Sequence, residues 1–427
     1  MRLVHPKGEK FPTENEYAYH VTLEFGRDEI KVQRIGPRMV REKKIFSEGA
    51  YTENLSNVME VGEYDPYHCA ELPKLPDGSA DPGLPLIVNR IRDSVSGSGV
   101  AISFEMGAES EAGLNAAKFF AYLPKVLACS LFGVGITEQE FPMMGMPLKL
   151  VMDKGPGAAT MNNQPANEPP TSMPELTPTR SGQSKAIVET ANPKRPHNNE
   201  GTQYIQSNLT SGELMRRELR LMIRENNTRD MSNRLADSWL KDLDVATPTA
   251  VYNEFARRGR NDAQQLPFED AVRTLLVPVD ISAYFDRIEW LGKRYRSKSL
   301  EATGFFRRIA KRQRVDLSAY HLLGCTRYLW LDYRGVIHWL ELQLVVDHGT
   351  AEAHKTVDEL EEAQRQRKRL KKNLTKHRQG VRAAAEEDFE AENGKAWTSG
   401  RVVKGRPRQT QQHRAAQREH QRHHRGK

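Results

Sequence analysis

Three carboxylates stand where acidic side chains could meet at one edge of a sheet. Asp65 follows an apolar run that begins at Val58, and Asp153 follows a run that ends at Met152. Glu189 lies near the start of a predicted helix. Such oxygen ligands suit Mg²⁺ or Mn²⁺, and two ions held about 4 Å apart can activate a nucleophile and stabilise the leaving oxygen of a phosphodiester. The pattern predicts metal-dependent phosphoryl transfer.

Each carboxylate also has a structural interpretation. An Asp at a strand end often shapes a turn, and a Glu in a first helical turn is favoured by the helix dipole. The role of Asp65 could instead fall to Glu60, Glu63 or Asp93, with Glu63 the main rival and Asp93 better suited to a hairpin turn at residues 93–98. The order and spacing of the three carboxylates favour the catalytic interpretation.

The chain resembles the integrase-core transposases of the ribonuclease H-like superfamily, in the branch that contains the phage Mu transposase. The resemblance rests on DKGP at residues 153–156, on SGQSKAIVE at residues 181–189, and on the 35 residues between the second Asp and the Glu. It extends to IEWLGKRYRS at residues 288–297, which is similar to the opening of the β-barrel that follows the core in that branch. Roughly residues 51–346 are covered.

This resemblance implies a DNA transposase. Asp65 would bridge two Mg²⁺ or Mn²⁺ ions, Asp153 would bind one and Glu189 the other, and Lys185 would lie near the substrate phosphate. Hydrolysis at a transposon end would free a 3′-hydroxyl, which the same site would direct at a target phosphodiester. The implied partners are double-stranded DNA, further copies of the chain, because two ends must be paired, and possible additional transposition subunits.

Three residues depart from the family pattern around these motifs: Lys154, Ala186 and Thr190. They keep open an alternative, a catalytically inactive DNA-binding remnant or regulatory subunit, and a stand-alone nuclease is a third possibility. The family carries helix-turn-helix domains before the core, and the residues ahead of Asp65 are too few to hold them. We therefore expect either a truncated copy or another subunit that recognises the ends.

The predicted architecture is α/β, with a ribonuclease H-like mixed five-stranded sheet flanked by helices. In the core, a hairpin is followed by one helix over residues 111–131 with Ser110 as N-cap, and then by a strand that ends at Met152. The predicted segments are a leading segment (1–50), the catalytic core (51–205), a helical segment (206–276), a small β-barrel (277–346) and a basic helical and disordered tail (347–427).

Basic residues are candidates for contact with DNA phosphates. The chain has 64 Lys and Arg against 56 Asp and Glu, a formal net charge of +8, which favours a polyanionic partner. The residues expected to contact DNA lie on the polar face of a predicted helix and in the tail: Arg216, Arg217, Arg220, Arg367, Lys368 and Arg369.

The remaining signals favour structural roles. Three widely spaced cysteines are expected to be buried and inert, and the Trp and Tyr residues of 290–339 to fill the barrel interior. Histidines among the Arg and Gln of the tail fit a solvated basic segment better than a metal site. No apolar run approaches about 20 residues, so we expect no membrane association and a cytoplasmic, nucleoid-associated protein.

Overall fold

The structure is a computed structural model. It describes residues 13–27, 29, 30, 33, 54–76, 79, 81–153, 173–176, 204–344, 353–398, 400, 401, 404, 405 and 410–425. Residues 1–364 form one compact unit and residues 365–427 form a second.

A mixed five-stranded sheet organises the first half of the larger unit. Its strands are β1 (Val61–His68), β3 (Leu86–Asp93), β4 (Gly99–Met106), β5 (Lys149–Met152) and β6 (Met173–Leu176). Their order across the sheet is β4-β3-β1-β5-β6. β1 is antiparallel to β3 and parallel to β5, β4 is antiparallel to β3, and β6 is parallel to β5. β2 (Glu71–Leu72) and β7 (Ile205–Gln206) form a separate parallel pair.

The first strand lies about three residues further along the chain than predicted, and Asp65 lies inside it. The sequence placed a strand from Val58 that ended near Asp65, but β1 begins at Val61 and runs to His68. The predicted hairpin is confirmed, because β3 and β4 flank the turn after Asp93. The Asp93 carboxylate is buried and accepts hydrogen bonds from the backbone N–H and hydroxyl of Ser96, so it shapes the hairpin.

The predicted helix over residues 111–131 is two helices, α2 (Glu111–Tyr122) and α3 (Lys125–Leu131). Ser110 caps α2 as predicted. Pro124 ends it, because proline has no N–H to continue the helical hydrogen bonds. The buried Lys125 Nζ then donates to the carbonyl oxygens of Phe120, Ala121 and Leu123 at 2.8–3.1 Å, which are exposed by the break.

The helix α4 (Ser211–Thr228) covers the opposite face of the sheet from α2. Its apolar side chains, including the predicted Leu214, Leu219 and Met222, are buried, while Arg220 is exposed. The remaining helices before the barrel are α5 (Pro248–Arg257), α6 (Phe268–Leu275) and two short 3₁₀ turns (Ser232–Arg234 and Asp237–Asp242). The predicted helical segment is therefore several helices around the sheet.

A closed six-stranded β-barrel follows, as the sequence predicted. Its strands are β8 (Val277–Ala283), β9 (Ile288–Trp290), β10 (Lys293–Arg296), β11 (Val315–His321), β12 (Tyr328–Tyr333) and β13 (Val336–Gln343). They close in the order β10-β13-β12-β11-β8-β9. Between β10 and β11 lie α7 (Lys298–Ala302) and a 3₁₀ turn (Phe306–Arg308).

The barrel aromatics divide between two cores. Trp290 and Tyr295 lie in the barrel interior with Leu329, as predicted. The prediction is wrong for Trp330 and Trp339, which belong to the core around the sheet. Side chains alternate between the two sides of a strand, so neighbours of inward-facing Leu329 and Leu331 point outward, here into a second apolar layer.

Helices also occupy both ends of the described chain. α1 (Glu14–Phe25) has no buried residue. α8 (Val357–Asn393) begins in the larger unit, where Leu360 is buried, and continues into the smaller one. The tail predicted to be disordered contains α9 (Gln411–Arg425), which corrects that expectation. Among the described residues, no helix is long and apolar enough to cross a membrane.

Candidate active site

Asp65 and Asp153 come from neighbouring parallel strands at matching positions. The β1–β5 register pairs Val61 with Lys149 and Glu63 with Val151. Two further residues along each strand bring Asp65 level with Asp153, which directly follows β5. Adjacent strands lie about 4.8 Å apart, and residues level with one another in a parallel pair share a face. Continued past its last pair, this register places the two residues side by side at this end of the sheet.

Glu63, the main rival of Asp65, lies on the same face but deeper in the sheet. Residues two apart on a strand point the same way, and Glu63 is 1% exposed, whereas Asp65 is only half-buried. Ser94 Oγ donates to Glu63 Oε1 at 3.4 Å. The parallel register places Val151 rather than Asp153 opposite Glu63. This geometry favours Asp65 as the partner of Asp153.

A buried arginine lies beside Asp65 on β3, the neighbour of β1 on the side away from β5. The antiparallel register with β3 pairs Asp65 with Arg90, whose side chain is fully buried. Arg90 Nη1 lies 3.2 Å from Glu225 Oε2, and Nη2 lies 3.6 Å from Glu218 Oε2. Both glutamates belong to α4, so α4 covers the face of the sheet that carries Asp65.

Arg92 and Tyr67 complete this ionic network. Arg92 Nη2 lies 2.5 Å from the same Glu225 oxygen. Tyr67 donates its hydroxyl to Glu218 Oε2 at 2.7 Å, and its ring lies 4.9 Å from the Arg90 guanidinium carbon. Burial and the neighbouring Arg90 lower the pKa of Arg92 to about 10, while Glu225 opposes the shift. Burial raises the pKa of the Tyr67 hydroxyl.

The network fixes α4 against the strand that carries Asp65. Two buried guanidinium groups face two carboxylates, so the charges balance where water is excluded, and each ion depends on the others. The sequence analysis missed these residues. Their signal was present: Arg90 and Arg92 stand at alternate positions on either side of Ile91, and Glu218 and Glu225 are seven residues apart on one helical face.

The other residues predicted for the site fall into two groups. Glu189 and Lys185 lie outside the described residues. On α4, Arg216 is half-buried and Arg220 is exposed. Arg217 contacts protein groups, because its Nη1 lies 2.5 Å from Glu71 Oε1.

The predicted tail residues lie on the exposed part of α8. Arg367, Lys368 and Arg369 are all exposed to solvent. They belong to the smaller unit, whereas Asp65 and Asp153 belong to the larger one. All three cysteines are free and buried, as predicted.

The donor set at Asp65 and Asp153 fits a hard divalent cation in its chemistry. Both groups are carboxylates, the ligands that Mg²⁺ and Mn²⁺ prefer. Within the described residues, no three His, Cys, Asp or Glu side chains gather as a metal cluster.

Comparisons with known proteins add little to this geometry. No protein family and no curated protein matches the sequence. One solved structure is similar to 78% of this chain over 95% of its own length, with 10% identity and a TM-score of 0.27: the simian T-cell lymphotropic virus intasome in complex with the PP2A regulatory subunit B56 gamma. A TM-score of 0.27 is too low for this likeness to bear on the fold or activity described here.

Proposed function

We propose that this chain is a DNA transposase that hydrolyses phosphodiesters at transposon ends and joins the freed 3′-hydroxyl to target DNA. The proposal rests on the parallel register of β1 and β5, which, continued two residues past its last pair, brings Asp65 level with Asp153. The strand order and directions of the sheet support a ribonuclease H-like core, and the barrel after it agrees with the Mu transposase branch.

In this proposal Asp65, Asp153 and Glu189 hold two Mg²⁺ or Mn²⁺ ions. When bound, the ions would activate the attacking oxygen and stabilise the leaving oxygen. The role of the protein is then positional. The buried pairs of Arg90 with Glu218 and Glu225 hold β3 against α4, and the hydrogen bond from Tyr67 to Glu218 ties β1, the strand of Asp65, to the same helix.

DNA would be bound through its phosphates. Arg220 offers an exposed cation on α4, and Lys368 and Arg369 offer further ones on α8. Such contacts hold the backbone without reading its sequence. Arg217 is a weaker candidate than the sequence suggested, because Glu71 already occupies its guanidinium.

The test is strand transfer of a pre-cleaved transposon end in Mg²⁺ or Mn²⁺, with the ends and any end-recognising subunit of the element supplied. Asp65→Asn, Asp153→Asn and Glu189→Gln each remove one negative charge while nearly keeping the side-chain shape. We expect each to abolish joining while DNA binding survives. Asp237→Asn, which changes an exposed carboxylate on a 3₁₀ turn, is the matched control and should leave joining intact.

Three results would redirect the proposal. Joining by Asp153→Asn at the wild-type rate would exclude this residue from catalysis. Cutting of DNA without joining would favour a stand-alone nuclease. A wild-type chain that binds its ends but neither cuts nor joins them would favour the catalytically inactive remnant, to which Lys154, Ala186 and Thr190 point.

A further inference from the structure

The exposed part of α8 carries an apolar stripe that nothing covers among the described residues. Leu370, Leu374 and Val381 are 66%, 44% and 56% exposed. The first two are four residues apart, and the last two are seven apart. Positions that alternate in steps of three and four through these residues are the a and d positions of a heptad repeat. Those positions are Arg367, Leu370, Leu374, His377, Val381, Ala384, Asp388 and Ala391. Five of these eight positions are apolar, a pattern that fits the seam of a coiled coil.

Charge is segregated along the same helix. Residues 365–372 contain six Lys and Arg and no acid, whereas residues 386–392 contain five Asp and Glu and no base. Two copies side by side in parallel would oppose base to base and acid to acid. An antiparallel copy brings each basic block opposite an acidic block, at both ends of the pair. The charge pattern therefore selects an antiparallel partner of the same sequence.

We propose that α8 associates with α8 of a second copy as an antiparallel two-stranded coiled coil. Leu374 of one copy then lies opposite Ala384 of the other, and Leu370 lies opposite Asp388. One step further along the seam, Arg367 of one copy lies opposite Ala391 of the other and within reach of Asp388 of that second copy. The seam from residue 367 to residue 391 is about 36 Å long.

The helix face outside this seam is left for other contacts. Lys368, Arg369 and Lys372 occupy b, c and f positions, which point away from a coiled-coil partner. DNA alone is a poorer explanation of the whole pattern, since phosphates would be repelled by the acidic block and make no use of the apolar stripe. A second copy accounts for the stripe and both charge blocks, and its contact does not depend on the proposed catalytic activity.

The experiment is a charge exchange in the full chain, followed by sedimentation equilibrium. Wild type should approach twice its 48.6 kDa mass. R367E/K371E places acid opposite acid at both ends, and D388K/E392K places base opposite base, so each variant alone should sediment as a monomer. A mixture of the two restores opposite charges at both ends and should sediment as a dimer.

The matched control is K368E/R369E, which changes the same number of charges on the outward face and should remain dimeric. Circular dichroism of each variant checks that α8 stays helical. A monomeric wild type, or a mixture of the exchanged variants that stays monomeric, would overturn the proposal. It would also be overturned, in favour of DNA as the occupant, if R367E/K371E left the mass unchanged but weakened duplex binding more than K368E/R369E.

Discussion

Glu225 is the residue on which the buried ionic network depends most. Its carboxylate contacts both Arg90 and Arg92. In the Gln variant Arg92 loses this carboxylate, while Arg90 keeps Glu218, which Arg217 also contacts. Removing one partner of a buried pair typically costs about 3 kcal/mol. We expect a loss of about that size in the free energy of unfolding of Glu225→Gln, measured by urea denaturation. Glu138→Gln, an exposed change of equal charge, should cost less than about 0.5 kcal/mol.

A larger effect is expected on the site than on the fold as a whole. If the network positions Asp65, Glu225→Gln should lower joining by more than its loss of folded protein accounts for. Unchanged stability in this variant would show that the guanidinium groups find other partners and that the network does not hold β1.

His321 gives the barrel a dependence on pH. It is 3% exposed, and burial lowers its pKa to about 4. In the unfolded chain His321 is protonated as the pH falls below about 6.5, whereas in the folded barrel it stays neutral down to about pH 4. The contribution of neutral His321 to the free energy of unfolding is therefore complete above pH 6.5 and is lost as the pH falls toward 4. Between pH 7 and pH 5, we expect the free energy of unfolding of wild type to fall by about 2 kcal/mol more than that of His321→Gln, as measured by urea denaturation. Equal losses in the two proteins would assign the dependence to other groups.

The carboxylates of the candidate site could be predicted from the sequence, but the residues that surround them could not. Asp65 and Asp153 could be selected because each follows an apolar run, and the turn role of Asp93 followed from its chemistry. The pairing of Arg90 with Glu225 could not be selected in the same way, since it joins residues 135 positions apart. Only the strand register and the orientation of α4 bring them together.

At the scale of the elements, the barrel is joined to the sheet core by aromatic side chains. Trp330 is fully buried, and its ring lies 5.8 Å from Phe119 of α2 and 5.2 Å from Trp339. Trp339 in turn stacks on Phe268 of α6, with 7° between the ring planes. These residues hold barrel and core together inside one unit, and the fully buried Trp330 has no face free to stack on bases.

Truncation of Trp330 tests this attachment. Trp330→Ala removes the largest buried side chain at the junction, and we expect a loss of about 4 kcal/mol in the free energy of unfolding. DNA affinity, corrected for the folded fraction, should not change. The exposed Trp397→Ala is the control for stability. A loss of DNA affinity at full stability would instead mean that Trp330 reaches nucleic acid.

The errors of sequence interpretation at this scale have a common cause. Apolar spacing continued through Pro124, so one helix was predicted where a break leaves carbonyl groups that Lys125 satisfies. In the barrel, strands that are apolar on both sides give no sign of which side is the interior, so Trp330 and Trp339 were assigned to the wrong core. The hairpin, strand β5 and the N-cap at Ser110 were predictable because each depends on residues that are adjacent in the sequence.

At the scale of the whole molecule, the positive charge is concentrated at one end. Residues 394–427 hold ten Lys and Arg and one Glu, a formal charge of +9, while the whole chain carries +8. The first 393 residues therefore carry 8 − 9 = −1. The net positive charge that would attract DNA from a distance therefore lies in the last segment.

The helix α9 lies within that segment and is the place to test its role. Arg414, Arg418 and Arg422 are exposed and spaced four residues apart, so they share one face of α9. Replacing all three with Gln removes up to three phosphate contacts, and each lost contact lowers the slope of log affinity against log salt by about 0.9. In duplex-binding titrations we therefore expect a slope that is shallower by about 2 to 3. The sedimentation mass should stay unchanged, because the α8 seam is intact. An unchanged slope would place the DNA contacts on α4 or α8 and leave α9 without a part in DNA binding.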